Sequence, residues 1–127
     1  MNTKSVKISD AELEVMKILW REEQAVSFSD IRAELGDRMG WEKSTIATLL
    51  RRLQKKNAVS VQEKEMHYYV PNIAKEDYVT LKKRSLIDEL YDGSTKNFVA
   101  SLCRSGELTE ADIEELKMYF QMGREGK

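Results

Sequence analysis

The chain has 127 residues, 41% hydrophobic and 34% charged, with 21 lysines and arginines against 22 aspartates and glutamates. That length holds one ordinary domain, or a small domain with an appendage, and a single proline and six glycines leave no room for long linker-like tracts. The lone cysteine, Cys103, excludes an internal disulfide framework, no apolar run reaches membrane-spanning length, and Met1 to Ser5 has no apolar stretch behind it to make a signal peptide, so a cytoplasmic protein is expected.

Ser9-Asp10-Ala11-Glu12 reads as a helix start, with Ser9 as cap and Glu12 three residues on completing a capping box. Leu13, Met16, Ile18, Leu19 and Trp20 then recur at near-helical spacing, with Glu12, Glu14, Lys17 and Arg21 expected on the opposite, polar side. Ala25-Val26-Ser27 reads as a short extended piece. Ser27 or Ser29 can cap a second helix through Phe28, Ile31 and Leu35, with Gly36 as its stop and Asp37 to Gly40 as a turn. A third helix is expected from Trp41 or Glu42 to Lys56, because Ile46, Leu49, Leu50 and Leu53 form an i, i+3, i+4, i+7 stripe.

The period then changes from helical to two. Val59, Val61 and Tyr69 alternate with polar residues around a charged turn at Gln62-Glu63-Lys64-Glu65, and Met66 to Val70 returns as a strand closed by Pro71. From Ile73 the pattern is helical again. Tyr78, Leu81, Leu86, Ile87, Leu90 and Tyr91 mark a long helix stopped at Asp92-Gly93. Ser94 or Thr95 caps another through Phe98, Val99 and Leu102, with Cys103 on its apolar face, and Thr109 with Asp112 starts a last one through Ile113, Leu116, Tyr119 and Phe120. The tail from Gly123 is expected to fray.

Net charge, −1, argues for no acidic partner, but its distribution does. Arg51-Arg52-Leu53-Gln54-Lys55-Lys56 holds four cations without an acid. On a third helix whose apolar stripe faces a core, the opposite face carries Ser44, Thr48, Arg51 and Lys55, with Thr45 and Arg52 at its edge and Lys43 before it. Small hydroxyls can approach base edges and phosphates, arginines can reach a guanine edge, and Lys55 and Lys56 suit phosphates. Lys64 and His67 at the hairpin tip would lie along the backbone. Helix, short strand, helix, turn, helix, hairpin is the order of a winged helix-turn-helix, whose reading helix lies in the major groove.

The expected fold is therefore mainly α: three helices and a hairpin wing in residues 1–72, then a helical region in residues 73–127. The apolar positions after residue 73 exceed what a module of that size covers, so Leu86, Ile87, Leu90, Phe98, Leu102, Ile113, Leu116 and Phe120 either meet a second copy or fold back on their own chain. An enzyme is not expected. One histidine, no Gly-rich phosphate loop and no metal-ligand cluster leave neither catalytic, metal nor cofactor residues to name. The other reading of the same residues is a winged-helix module whose basic face binds a protein.

With those elements placed, Ile8-Ser9-Asp10-Ala11-Glu12-Leu13-Glu14-Val15-Met16-Lys17-Ile18-Leu19-Trp20 resembles the N-terminal signature of the penicillinase-repressor family, the BlaI/MecI group with its copper-responsive CopY relatives. Trp41 to Lys56 resembles its recognition helix, Tyr68-Tyr69 its wing strand, and Leu108 to Leu116 its last helix. The resemblance implies a homodimer held by C-terminal helices, bound to a palindromic double-stranded DNA operator. It further implies release by cleavage, triggered by a membrane-bound sensor protease, at an Asn-Phe bond. Alignment through the last helix puts that bond at Ser101-Leu102, while Asn97-Phe98 lies four residues earlier. Glu42-Lys43 stands where family members often have Ser-Pro, and the lone Cys103 excludes the paired-cysteine copper sensor of the CopY branch.

Overall fold

A computed structural model describes residues 7–125; the Met1 to Ser5 stretch and the last two residues of the tail lie outside them. Two compact units are present, the first ending at Leu81 and the second beginning at Lys82.

The first unit opens with α1 (Asp10–Arg21). Its capping box is complete: Glu12 N–H donates to Ser9 Oγ at 3.1 Å, and Ser9 N–H donates to Glu12 Oε1 at 2.9 Å. Val15, Met16, Ile18 and Leu19 are its buried face. A two-residue strand, β1 (Val26–Ser27), leads into α2 (Phe28–Met39), and Ser27 is the cap, accepting from Asp30 N–H at 3.1 Å. Gly36 does not stop α2. The helix runs one turn further and ends at Gly40, whose φ of 71° is the left-handed conformation that glycine adopts without a Cβ penalty.

α3 (Lys43–Lys55) buries Ile46, Leu49, Leu50 and Leu53, the stripe expected from the sequence. Its end is a Schellman motif: Ala58 N–H donates to Leu53 O at 2.9 Å and Asn57 N–H to Gln54 O at 3.0 Å, with Asn57 at φ 63°. The fully buried Leu53 and Ala58 lie at the two ends of that motif. The turn throws the chain directly into β2 (Val59–Glu63), which pairs antiparallel with β3 (His67–Pro71). β2 runs two residues further than expected and β3 starts one residue later, at His67 rather than Met66, so Gln62 and Glu63 are paired residues and the turn is Lys64 to Met66. Pro71 still pairs, as the last residue of β3 opposite Val59. β1 joins the other side of β3, giving the sheet order β1-β3-β2.

The core of this unit reaches past residue 72. Ile73 and Tyr78, at the start of α4 (Lys75–Leu90), are buried in it. Trp20 holds them there: its indole Nε1–H donates to Ile73 O at 2.8 Å, and its ring lies 5.6 Å from that of Tyr78.

The second unit is built differently. The rest of α4 is followed by a turn at Asp92 (φ 49°) and Gly93, then α5 (Thr95–Arg104), capped by Ser94, and α6 (Glu110–Glu125), capped by Thr109. Of the described residues from Lys82 onward only Ile87 is buried, and α5 buries none. Leu90, Met118, Phe120 and Met122 are each about two-thirds exposed. Cys103, expected on a covered face, is exposed, and the tail is helical to Glu125.

The Trp20 anchor makes a prediction. Ile73→Ala should destabilise the first unit by about 2–5 kcal/mol, the usual cost of emptying a packed aliphatic site. Urea unfolding followed by tryptophan fluorescence, from Trp20 and Trp41 on the same core, measures it; an unchanged midpoint would place Ile73 outside the core.

Candidate nucleic-acid interface

The outward face of α3 is where charge, exposure and lack of partners coincide. With Ile46, Leu49, Leu50 and Leu53 turned into the core, 3.6-residue periodicity brings Ser44, Thr48, Arg51 and Lys55 together on the far side, with Arg52 flanking. Lys43, Ser44, Thr45, Arg51, Arg52 and Lys55 are all exposed. Several other exposed cations in this unit, unlike Arg32, Lys64 and Lys75, are held by acids. Arg21 makes a two-pronged bond to Glu34 at 2.7 and 2.9 Å, Arg38 reaches Glu14 at 2.8 Å, and Lys17 lies 3.5 Å from Glu14. Those arginines hold the Glu34 and Glu14 carboxyls below their ordinary pKa. Among the described residues no carboxylate pairs with Lys43, Arg51, Arg52 or Lys55. Three unneutralised cations on the outward side of α3, with Lys43 at its first turn, form a surface suited to a polyanion.

The N-terminal end of α3 adds to this. α1, α2, α5 and α6 each have a side chain capping the first turn. At α3 the cap residue is Glu42, and it makes no side-chain hydrogen bond. The first-turn amides therefore stand open beside the Ser44 and Thr45 hydroxyls, an arrangement that suits a phosphate oxygen.

Lys56 is placed differently from its neighbour Lys55. It is the C-cap of α3, and its ammonium turns back to donate to Glu12 Oε1 and, at 2.7 Å, to Lys7 O. Glu12 is 2% exposed, not on the polar side of α1 as its spacing suggested. Burial pushes its pKa up, but the Lys56 ammonium and the Ser9 N–H outweigh that and hold it below the ordinary carboxylate value. The sequence offered a signal for this: Glu12 completes the capping box, which turns its carboxylate toward the chain entering α1.

The wing is a weaker basic element. Lys64 and His67 are exposed at the tip, but Glu63 and Glu65 flank Lys64, and His67 sits opposite Glu63 in the ladder with Nε2 3.6 Å from its carboxylate. At the tip two glutamates stand against one lysine.

In the second unit the residues expected to pair two chains fall into three groups. Leu86, Leu90, Leu116 and Phe120 are exposed, Phe98, Leu102 and Ile113 are half-buried, and Ile87 is buried. Ser101-Leu102 lies inside α5. The Ser101 hydroxyl donates to Phe98 O at 2.6 Å and accepts from Tyr91 at 3.0 Å, while the Tyr91 and Phe98 rings lie 5.4 Å apart.

Comparison with known proteins bears on this arrangement. The family model for penicillinase repressors matches residues 8–122. The penicillinase repressor of Bacillus licheniformis is 35% identical over 111 residues, 87% of this chain and 86% of that protein. The penicillinase repressor of Staphylococcus aureus is 34% identical over 118 residues, 92% of this chain and 93% of that protein. The methicillin resistance regulatory protein MecI of Staphylococcus aureus strain N315 is 30% identical over 118 residues, 92% and 95% of the two chains. Among solved structures, the DNA-binding domain of the repressor BlaI is 40% identical, with a TM-score of 0.53 over 57% of this chain and 88% of that one. The monomeric form of Bacillus licheniformis BlaI in complex with the blaP half-operator is 40% identical, with a TM-score of 0.51 over 57% and 89%.

The placement of Glu12 sets a pH dependence. A carboxylate whose folded pKa lies below its ordinary value of 4.5 contributes stability above that value and loses it as pH falls through the folded value. Stability should therefore drop below about pH 4.5, and Glu12→Gln should flatten part of that acid limb. Lys56→Ala should cost about 1–3 kcal/mol at pH 7, because it removes the cation facing a buried carboxylate, whereas Lys55→Ala should be near neutral. Urea titrations at several pH values measure all three.

Proposed function

The chain belongs to the penicillinase-repressor family, and on that footing we propose that this DNA-binding transcriptional repressor acts in the cytoplasm as a homodimer on a palindromic operator, with α3 in the major groove. The observation that carries the reading is the row of unneutralised cations on the outward face of α3, next to an uncapped helix start. Arg51 and Arg52 are the candidates for reading base edges. Lys43, Ser44, Thr45 and Lys55 are suited to phosphates. Lys56 serves chiefly as the tie between α3 and α1, and Lys64 and His67 on the wing are secondary contacts. The winged helix is the fold of this unit, and three of its features (Trp20, Ile73 and Tyr78) carry the DNA-binding unit into the start of α4.

The self-partner follows from the second unit. Its helices expose Leu86, Leu90, Leu116 and Phe120, and a small helical unit with one buried residue among those described has too little core to stand alone. A second copy related by a two-fold axis covers such a face and presents two α3 helices to two half-sites. Release by a membrane-bound sensor protease, with scission near Ser101-Leu102, belongs to the same reading. That bond is inside α5, so its cleavage requires α5 to open first.

Two measurements test the reading. Binding to duplexes recovered by selection from random sequence should weaken with salt, with a log–log slope of about −0.9 per phosphate contact. Lys55→Ala should reduce the slope by about one contact and Lys56→Ala should leave it unchanged, while Arg51→Ala or Arg52→Ala should cost about 1–3 kcal/mol and relax preference at one position. A salt-independent interaction, or no selected duplex, points instead to a protein-binding winged helix. For the dimer, sedimentation at micromolar concentration should give twice the chain mass, and Leu90→Glu with Leu116→Glu should give monomers; a monomeric parent chain contradicts the reading.

A further inference from the structure

We propose that Thr48 reads a thymine through its methyl group; the inference rests on the operator-binding reading above. Thr48 lies at the middle of the outward face of α3, one turn from Ser44 on one side and from Arg51 and Arg52 on the other. Its hydroxyl donates to the Ser44 carbonyl at 2.9 Å. A threonine hydroxyl has one proton. With that proton held inside the helix, Thr48 has no hydrogen to offer a base.

The consequence follows from what the major groove displays. Guanine presents two acceptors there, N7 and O6, and thymine presents the acceptor O4 and a C5-methyl. A side chain without a free donor gains nothing from an acceptor. What Thr48 can still present is its methyl and the lone pairs of its oxygen. The intrahelical bond also holds the β-branched side chain at χ1, so the methyl does not exchange places with the hydroxyl. The neighbours on this face, Ser44, Arg51, Arg52 and Lys55, are all donors. Thr48 is the apolar spot in a ring of donors, and the C5-methyl of thymine is the apolar group of the groove.

The test removes one methyl at a time from each side. Duplexes are selected with the unmodified chain, and each selected thymine is replaced singly by deoxyuridine, which lacks only the C5-methyl. One thymine per half-site should weaken binding about fourfold on replacement, the effect of losing one buried carbon from an apolar contact. Thr48→Ser, which keeps the hydroxyl and loses the methyl, should be indifferent to uracil at that position. Thr48→Val, which keeps a methyl and loses the hydroxyl, should remain sensitive to it. Circular dichroism and thermal melting check that both variants are folded. The proposal is overturned if Thr48→Ser stays as sensitive to uracil as the parent chain, if Thr48→Val loses the sensitivity, or if no thymine is sensitive although a duplex was selected. Selection of no duplex overturns the operator-binding reading itself, and the thymine reading with it.

Discussion

Glu12 sits at a junction that the rest of the first unit needs. Its carboxylate accepts from the Ser9 N–H at the start of α1 and from the Lys56 ammonium at the end of α3. A carboxylate this deeply buried is tolerated only when paired and hydrogen-bonded, so α1 and α3 are held to one relative position at that point. Lys56 is also where α3 stops and the Schellman turn delivers the chain into β2. One ion pair thus registers α1, α3 and the root of the wing against each other. The stripe of Ile46, Leu49, Leu50 and Leu53 then decides which way α3 faces, and the cationic face points outward because its opposite side is full.

The two units put their apolar residues to different use. In the first, Val15, Met16, Leu19, Ile31, Leu35, Ile46 and Leu53 are fully or almost fully removed from water, and Trp20 extends that core to the start of α4. In the second, capping is as careful, with Ser94 and Thr109 closing their helices, yet the large apolar side chains of α6 stay exposed. Local signals there specify helices without a core to bury them in. That division sets a winged-helix unit with a core of its own apart from a helical unit whose apolar side chains are left uncovered.

Most of the element order was legible because it is encoded locally. Capping boxes at Ser9 and Thr109, the cap at Ser27 and the α3 stripe each act within one or two helical turns, and each appears where its residues suggest. Gly36 misled because a glycine is permissive in either conformation; the stop went to Gly40, where the backbone needs a positive φ. The hairpin turn was shifted because the pairing of β2 with β3 sets it: Glu63 lies opposite His67, which carries the ladder past the start of the charged run and leaves Lys64 to Met66 as the turn. Glu12 read as surface on helical spacing, and only the arrival of Lys56 from the far end of α3, 44 residues on, makes its burial tolerable.

The sequence by itself determined the helices, the wing, the basic run on α3 and the resemblance to a family of repressors, because period, capping and motif spacing are properties of neighbouring residues. Only the tertiary structure decided which of those cations are free. Lys55 and Lys56 are adjacent and chemically alike, yet a difference of about 100° around the helix leaves one facing solvent and turns the other onto a buried carboxylate. Arg21 and Arg38 likewise look as available as Arg51 until α1 and α2 pack and bring Glu14 and Glu34 beside them. Charge is written in the chain, but whether it is neutralised depends on residues far away in sequence, and that is settled when the helices meet.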